Sequence, residues 1–288
     1  MTVEAGAPRN ENPHSEMCLI AFAFDAHPDR ALVLAANRDE FYDRPTAPAH
    51  FWEKEGEPGL LAGRDERAGG TWMGVTRAGR FAALTNVRAV AEQQGERREE
   101  APSRGGLAKD FLTSGRAPED FLDALAAEAG RYNGFNLLAG TFGGKRPRLA
   151  HFSTHDDAPP APVAPGVHGL SNASLDTAWP KVERSRAALE RLLGDRAVTP
   201  EALLRLLNDR TPAPAEALPD TGVSPERERA LSPVFIQTDG YGTRSSTALL
   251  IGRDGAVTFV ERSFEEGASP TDRRFSFQIA PEATQAVL

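Results

Sequence analysis

Cysteine is nearly missing from this chain: the 288 residues hold one, Cys18, so no intramolecular disulfide can form. The six histidines, at 14, 27, 50, 151, 155 and 168, stand apart from it and from one another, which excludes the usual zinc spacings; neither metal nor other cofactor is expected. No run approaches the roughly 18 consecutive apolar residues of a membrane helix, and residues 1–16 lack the apolar centre of a signal peptide. A cytoplasmic protein without membrane insertion is the expectation. Lysine is scarce, at four of the 33 basic residues, and the formal charge of −8 gives no long-range attraction to nucleic acid. The densest charged run, residues 96–100, mixes both signs. No repeat is visible.

What is present is a chain that is 40% hydrophobic and 26% charged, enough to bury a sizeable core. Residues 1–16 are polar and without period, so 1–17 reads as a disordered extension or a mis-assigned start, and 18–288 as a single domain. From Cys18 two apolar runs, 18–24 and 31–36, flank turn-like residues 25–29 as in an antiparallel hairpin. Further strands are expected at 71–76, 81–86, 136–141, 149–152, 234–237, 247–252, 257–261 and 275–278, with a hairpin turn at Arg253-Asp254-Gly255. Helical periodicity covers 106–112, 118–128, 179–193 and 200–207, with Pro118 and Pro200 suited to first turns. Strands in groups with helices between the groups predict an α+β layered domain, not a parallel doubly wound sheet. Residues 211–225, with four prolines, read as a long surface connector or, second, as a gate.

The chemistry lies in short polar or glycine-rich pieces. Asn37-Arg38-Asp39-Glu40-Phe41 follows the second strand, and it keeps company with Met17-Cys18-Leu19-Ile20, Gly69-Gly70-Thr71-Trp72 and Leu84-Thr85-Asn86. Tyr132-Asn133-Gly134-Phe135-Asn136, Gly169-Leu170-Ser171-Asn172-Ala173 and Gly240-Tyr241-Gly242-Thr243-Arg244 follow in turn. In this order and spacing, from Cys18 to about Gln278, the set resembles the NRDE family, the transport and Golgi organisation 2-like proteins. The resemblance implies a four-layered αββα sandwich of the N-terminal-nucleophile hydrolase type, by similarity to penicillin V acylases, bile-salt hydrolases and acid ceramidase-like amidases.

It also implies roles. Cys18 corresponds to the N-terminal nucleophile, although sixteen residues precede the Met-Cys pair with which the family begins. Arg38 and Asp39 match an Arg and an Asp on the second strand of bile-salt hydrolases, which are spaced two residues further apart there. Asn86 and Asn172 match asparagines of related hydrolases, suited to donating to an oxyanion, and Arg244 resembles their C-terminal arginine. Asn37, Glu40, Trp72, Asn133 and Asn136 are candidate substrate-binding residues. Each has a structural alternative: a charge network supporting the hairpin for residues 37–40, a surface ion pair for Arg244, turns for the asparagines, and a bulged turn with a core aromatic at Trp72.

A free α-amine, with a pKa of about 7.7 to 8, can take the thiol proton, whereas an amide nitrogen cannot. Initiation at Met17 with methionine removal, or proteolysis before Cys18, is therefore a condition of catalysis. Two functions stand open. One is a thiol amidohydrolase cleaving a non-peptide C–N bond through an acyl-thioester, its small-molecule substrate an acylated amide. The other is a binding protein for haem or acyl-coenzyme A on the same fold; no Cys-Pro or paired-histidine motif supports haem ligation.

Overall fold

The computed structural model describes residues 17–88, 100–144, 146–265 and 267–280. The expected extension, apart from Met17, and the charged run, apart from Glu100, lie outside them. The order is β1 (Cys18–Phe24), β2 (Arg30–Phe41), β3 (Thr46–Trp52), β4 (Glu57–Asp65), β5 (Met73–Thr76), β6 (Arg80–Asn86), α1 (Gly105–Thr113), α2 (Pro118–Ala126), β7 (Phe135–Thr141), β8 (Arg148–Ser153), β9 (Ala161–Pro162) and β10 (Gly166–Leu170). Then come α3 (Pro180–Gly194), α4 (Pro200–Leu206), α5 (Pro225–Ala230), β11 (Tyr241–Gly252), β12 (Ala256–Ser263) and β13 (Thr271–Gln278).

These strands form two antiparallel sheets, ordered β10-β1-β2-β11-β12-β13 and β3-β4-β5-β6-β7-β8-β9. Strand periodicity assigns each side chain to a layer. From β1 and β2, Ile20, Phe22, Phe24, Leu32, Leu34 and Ala36 enter the core between the sheets, where they meet Leu61, Val75, Phe81 and Leu138 of the second sheet. Their neighbours Leu19, Ala21, Ala23, Val33 and Ala35 pack outward against Val182 and Leu189 of α3 and Leu203 and Leu204 of α4. On the far side Ala82, Leu84, Leu137 and Ala139 pack against Leu107, Phe111 and Leu122 of α1 and α2. The result is helix, sheet, sheet, helix: the expected four-layered αββα sandwich. Because β1 and β2 are covered on both faces, they read as unbroken apolar runs instead of alternating ones.

The hairpin of β1 and β2, the turn at Gly255 (φ +83°) and the helices with first-turn prolines lie where the sequence places them. Three expectations change. Residues 37–40 do not follow the second strand but are its last part. Residues 234–237 form no strand, only an isolated bridge from Gln237 to Gly242. The proline-rich 211–225 segment is not a purely solvated connector: Ala213 and Thr221 are buried, and Thr221 Oγ1 donates to Glu228 Oε1 of α5 at 2.6 Å. No helix among the described residues is long and apolar enough to cross a membrane.

Candidate active site

Cys18 opens β1 and pairs directly with Arg38 of β2. Residues opposite one another in an antiparallel pair share a face, so Cys18, Arg38 and Glu40 point between the sheets while Asn37 and Asp39 point toward the helices. A cavity of about 720 Å³ opens between the sheets at this end, lined among others by Cys18, Arg38, Asp39, Glu40, Trp72, Asn86, Asn133, Arg244 and Glu261. Arg38 donates from Nη2 to Glu40 Oε2 (3.1 Å) and from Nη1 to Thr46 Oγ1 (3.3 Å). Glu40 also faces Arg44 at 3.4 Å, and Arg44 reaches Asp65 at 2.7 Å. Burial pushes the Glu261 carboxyl above the usual carboxylate range; its Oε1 accepts the Ala49 N–H at 2.6 Å.

Arg244 reaches the cavity through an irregularity. Thr243 pairs with Asp39 and Ser245 with Arg38, which leaves Arg244 as the extra residue of a β-bulge, a device that re-aims a side chain. Its Nη1 donates to the carbonyls of Phe41 (2.7 Å), Tyr42 (3.0 Å) and Arg44 (3.2 Å), so it ties the turn after β2 to the cavity wall.

The backbone of Cys18 is held by side chains on both sides. Its N–H donates to Asn172 Oδ1 at 3.3 Å, and its carbonyl accepts from Ser171 Oγ at 2.8 Å. Asn172 Nδ2 donates to the Asn86 carbonyl at 2.9 Å, and Thr85 Oγ1 donates to the Ser171 carbonyl at 2.5 Å. Asn136 Nδ2 donates to Thr85 Oγ1 (3.1 Å) and to the Ala173 carbonyl (3.0 Å), which turns its Oδ1 to His151 Nε2 at 3.3 Å. Burial pushes the His151 imidazole down to about 4, so at neutral pH it is uncharged and donates from Nε2. This chain of bonds fixes the end of β1 to β6, β7 and β8 of the opposite sheet.

On the helix side of Cys18 lies a second polar cluster. Met17 is 1% exposed: its N–H donates to Tyr241 Oη at 2.6 Å and its carbonyl accepts the Asp39 N–H at 2.9 Å. Met17 therefore belongs to the fold and not to the extension. Asp39 Oδ1 accepts from Thr243 Oγ1 at 2.6 Å, while the buried Oδ2 has no hydrogen-bond partner. Burial raises the Asp39 carboxyl to about 6, against the pull of Lys181, Thr243 and Arg38. Burial likewise lowers Lys181 to about 8, and Asp39 opposes that shift. Arg88 and Glu228 pair at 2.5 Å beside them.

Three of the sequence-derived roles change. Asn37 does not line the cavity: its Nδ2 donates to the carbonyls of Leu207 (3.0 Å) and Val234 (2.8 Å), and its Oδ1 accepts from Ser246 Oγ (2.6 Å), all toward the helix layer. Asn136 is fully buried in the network described above and is not among the residues that line the cavity. Asn172 is also fully buried and turns its amide oxygen to Cys18 N, while its Nδ2 is engaged by the Asn86 carbonyl, so it holds the backbone of Cys18. Gly69-Gly70 forms a turn, Gly69 at φ +73°, whose Gly70 lies against Gly105 at the start of α1. Trp72 both packs on the inter-sheet core and lines the cavity. Sequence reasoning missed Ser171, Thr85, Tyr241, Lys181 and Glu261; the first three stand inside quoted motifs, while a lysine in a helix gives no such signal.

Residues 17–266 match the family described as Transport and Golgi organisation 2. The chain is similar to the "Transport and Golgi organization protein 2 homolog" of Bos taurus, 36% identical over 88% of this chain and 95% of that protein. The human homolog of the same description is 35% identical over 86% and 93% of the two chains. The Drosophila melanogaster "Transport and Golgi organization protein 2" is 27% identical over 86% and 92%. Among solved structures, a Caenorhabditis elegans "N-acylethanolamine-hydrolyzing acid amidase (NAAA) ortholog" superposes with a TM-score of 0.46 at 11% identity, covering 81% of this chain and 92% of that one.

Proposed function

Because the chain belongs to the Transport and Golgi organisation 2 family and carries its lone cysteine into an internal cavity, we propose that it is an N-terminal-cysteine amidohydrolase. The observation that carries this reading is the treatment of Cys18: it lines the cavity while its backbone nitrogen and carbonyl are each gripped by a buried side chain. Such pre-orientation costs nothing at the moment of reaction, which is what a nucleophile requires.

Removal of Met17 would turn the Cys18 nitrogen into an α-amine beside Asn172 Oδ1, an acceptor that suits an amine or ammonium group. The amine takes the thiol proton as sulfur bonds to the amide carbonyl carbon. The carbonyl oxygen becomes an oxyanion, for which the Asn86 amide, a residue of the cavity wall, is the proposed donor. Collapse breaks the C–N bond, the leaving amine takes the proton from the α-ammonium, and the thioester remains. Water then hydrolyses the thioester to a carboxylic acid and regenerates the thiol. Arg38 and Arg244 orient the acyl group or its substituents from the cavity wall.

A noncatalytic carrier is the second reading: six arginines on the wall against five carboxylates, with Arg38 and Arg44 paired to Glu40 and Asp65, leave a small positive excess that suits an anionic ligand such as acyl-coenzyme A. Haem fits less well, since Cys18 alone among the lining residues could ligate iron axially. The test is a chain beginning at Cys18 assayed on a panel of acylated amines. Turnover that disappears in Cys18→Ala with the circular dichroism unchanged supports the hydrolase. Turnover retained in Cys18→Ala removes the thiol mechanism, and saturable acyl-coenzyme A binding with no turnover favours the carrier.

A further inference from the structure

We propose that the acyl group of the substrate is elongated and polar, with hydrogen-bonding groups along its length, and that it lies on a row of polar side chains crossing the first sheet from Cys18 to β13. The row follows from the strand register. Cys18 of β1 stands opposite Arg38 of β2, Arg38 opposite Ser245 of β11, Ser245 opposite Ser263 of β12, and Ser263 opposite Thr271 of β13. Residues opposed in this way share a face, and all five line the cavity. Neighbouring strands lie about 4.8 Å apart, so the row extends roughly 19 Å from the thiol. Burial falls along it: Cys18, Arg38 and Ser245 are buried, Ser263 is half-buried and Thr271 is exposed. The row therefore leads from a covered nucleophile to the open edge of the sheet.

Packing of the sheets does not account for these side chains. On the same face and in the same register, the row of Phe22, Leu34, Leu249, Phe259 and Phe275 is apolar throughout and belongs to the inter-sheet core. Between the two rows stand Ile20, Ala36, Thr247, Glu261 and Arg273, apolar on β1 and β2 and polar on the other three strands. Glu261 and Arg273 line the cavity, so the polar floor widens away from Cys18. Apolar surface enters from elsewhere on the wall, at Trp72, Leu84 and Phe264. An acyl chain there meets apolar contact on one side and hydroxyls, a guanidinium and a carboxyl on the other. A hydrocarbon chain uses only the first and takes water from the second without replacing its hydrogen bonds, whereas a chain carrying hydroxyl or amide groups uses both.

This substrate class rests on the hydrolase reading given above and specifies it. The test uses matched anilides: acetyl-glycyl, acetyl-diglycyl and acetyl-triglycyl against pentanoyl, octanoyl and undecanoyl, acyl chains with equal numbers of backbone atoms. Binding is measured by calorimetry on full-length Cys18→Ala, which forms no thioester, and turnover on the chain beginning at Cys18. The polar member of each pair is expected to bind more tightly, the preference growing with length to about tenfold in the longest pair, the equivalent of one to two buried hydrogen bonds. Ser245→Val combined with Ser263→Val should cut that preference about threefold or more. Equal or tighter binding of the undecanoyl anilide would overturn the inference, as would a preference that does not grow with length or no binding of either series. These comparisons are made with the row intact, so they decide even if the double variant does not fold. Polar anilides bound in the expected order but left uncleaved would sink the hydrolase alone. Cleavage that is fastest on the hydrocarbon anilides and lost in Cys18→Ala would sink the polar row alone.

Discussion

Asn37 offers the sharpest test of how the NRDE segment divides its work. Its side chain makes three hydrogen bonds, to Leu207 O, Val234 O and Ser246 Oγ, between 2.6 and 3.0 Å and with no exposed surface. Asn37→Ala removes all three and leaves two carbonyls and a hydroxyl to find other partners in the space between β2 and α4. A buried hydrogen bond contributes about 1 kcal/mol net, and an orphaned buried group costs about 1 to 3 kcal/mol. With partial relaxation, the total is about 3 to 5 kcal/mol, a large share of the roughly 5 to 15 kcal/mol that holds a domain folded. Urea unfolding followed by circular dichroism should show that loss with an unchanged m-value. The thiol of Cys18, on the opposite face, should be alkylated within about twofold of the wild-type rate, since no bond of Asn37 reaches it. A loss below about 1 kcal/mol together with a tenfold change in alkylation would refute the assignment and return Asn37 to the cavity.

Three further outcomes follow from the same geometry. Folding lowers the His151 imidazole from 6.5 to about 4, so its contribution is complete above pH 6.5 and is lost as pH falls through about 4; the shift corresponds to about 3 kcal/mol, and the stability of His151→Gln should be flatter over that window. Gly70→Ala would set a Cβ 2.5 Å from the Gly105 carbonyl carbon, while Gly115→Ala meets nothing within 4 Å; thermal unfolding should show a cost of at least about 2 kcal/mol for the first and under about 0.5 kcal/mol for the second. Ser171→Ala withdraws the donor from the Cys18 carbonyl and should cost about 1 to 2 kcal/mol in urea unfolding; if the proposed hydrolase activity holds, it should also lower kcat more than it raises KM.

The layered α+β arrangement was legible because its signals are local. The β1–β2 hairpin, the β11–β12 turn at Gly255 and the prolines opening α2 and α4 each announce themselves within a few residues. The strands that escaped reading have weaker patterns: β3, TAPAHFW, carries a proline, β4 begins with Glu-Pro-Gly, and β10 holds two glycines in five residues, all at or near sheet edges where such residues are tolerated. Conversely, the run 234–237 looks like a strand, but Val234, Phe235 and Ile236 are buried as irregular chain, the carbonyl at Val234 satisfied by Asn37 instead of a ladder partner. Cys18, Arg38 and Arg244 could be picked out as a group only through family resemblance, since a thiol, a strand guanidinium and a bulged arginine 200 residues on share no local pattern.

The four polar residues of the segment look alike in sequence and do different things because a strand alternates. Arg38 and Glu40 face the cavity with Cys18, and they are salt-bridged to each other at 3.1 Å. Asn37 and Asp39 face the helices, where one fastens α4 and the loop before β11 and the other carries the charge opposite Lys181. A one-residue slip of β2 against β1 would exchange the two sets, putting an amide where the guanidinium stands and a guanidinium among Val33, Ala35 and Leu203. The register is pinned against that slip by the bulge at Arg244 on one side and by the Cys18–Arg38 pair on the other. The structural half of the segment thus sets the geometry in which the other half can act, and substitutions in the two halves should separate in experiment: loss of stability for Asn37, loss of site chemistry for Arg38.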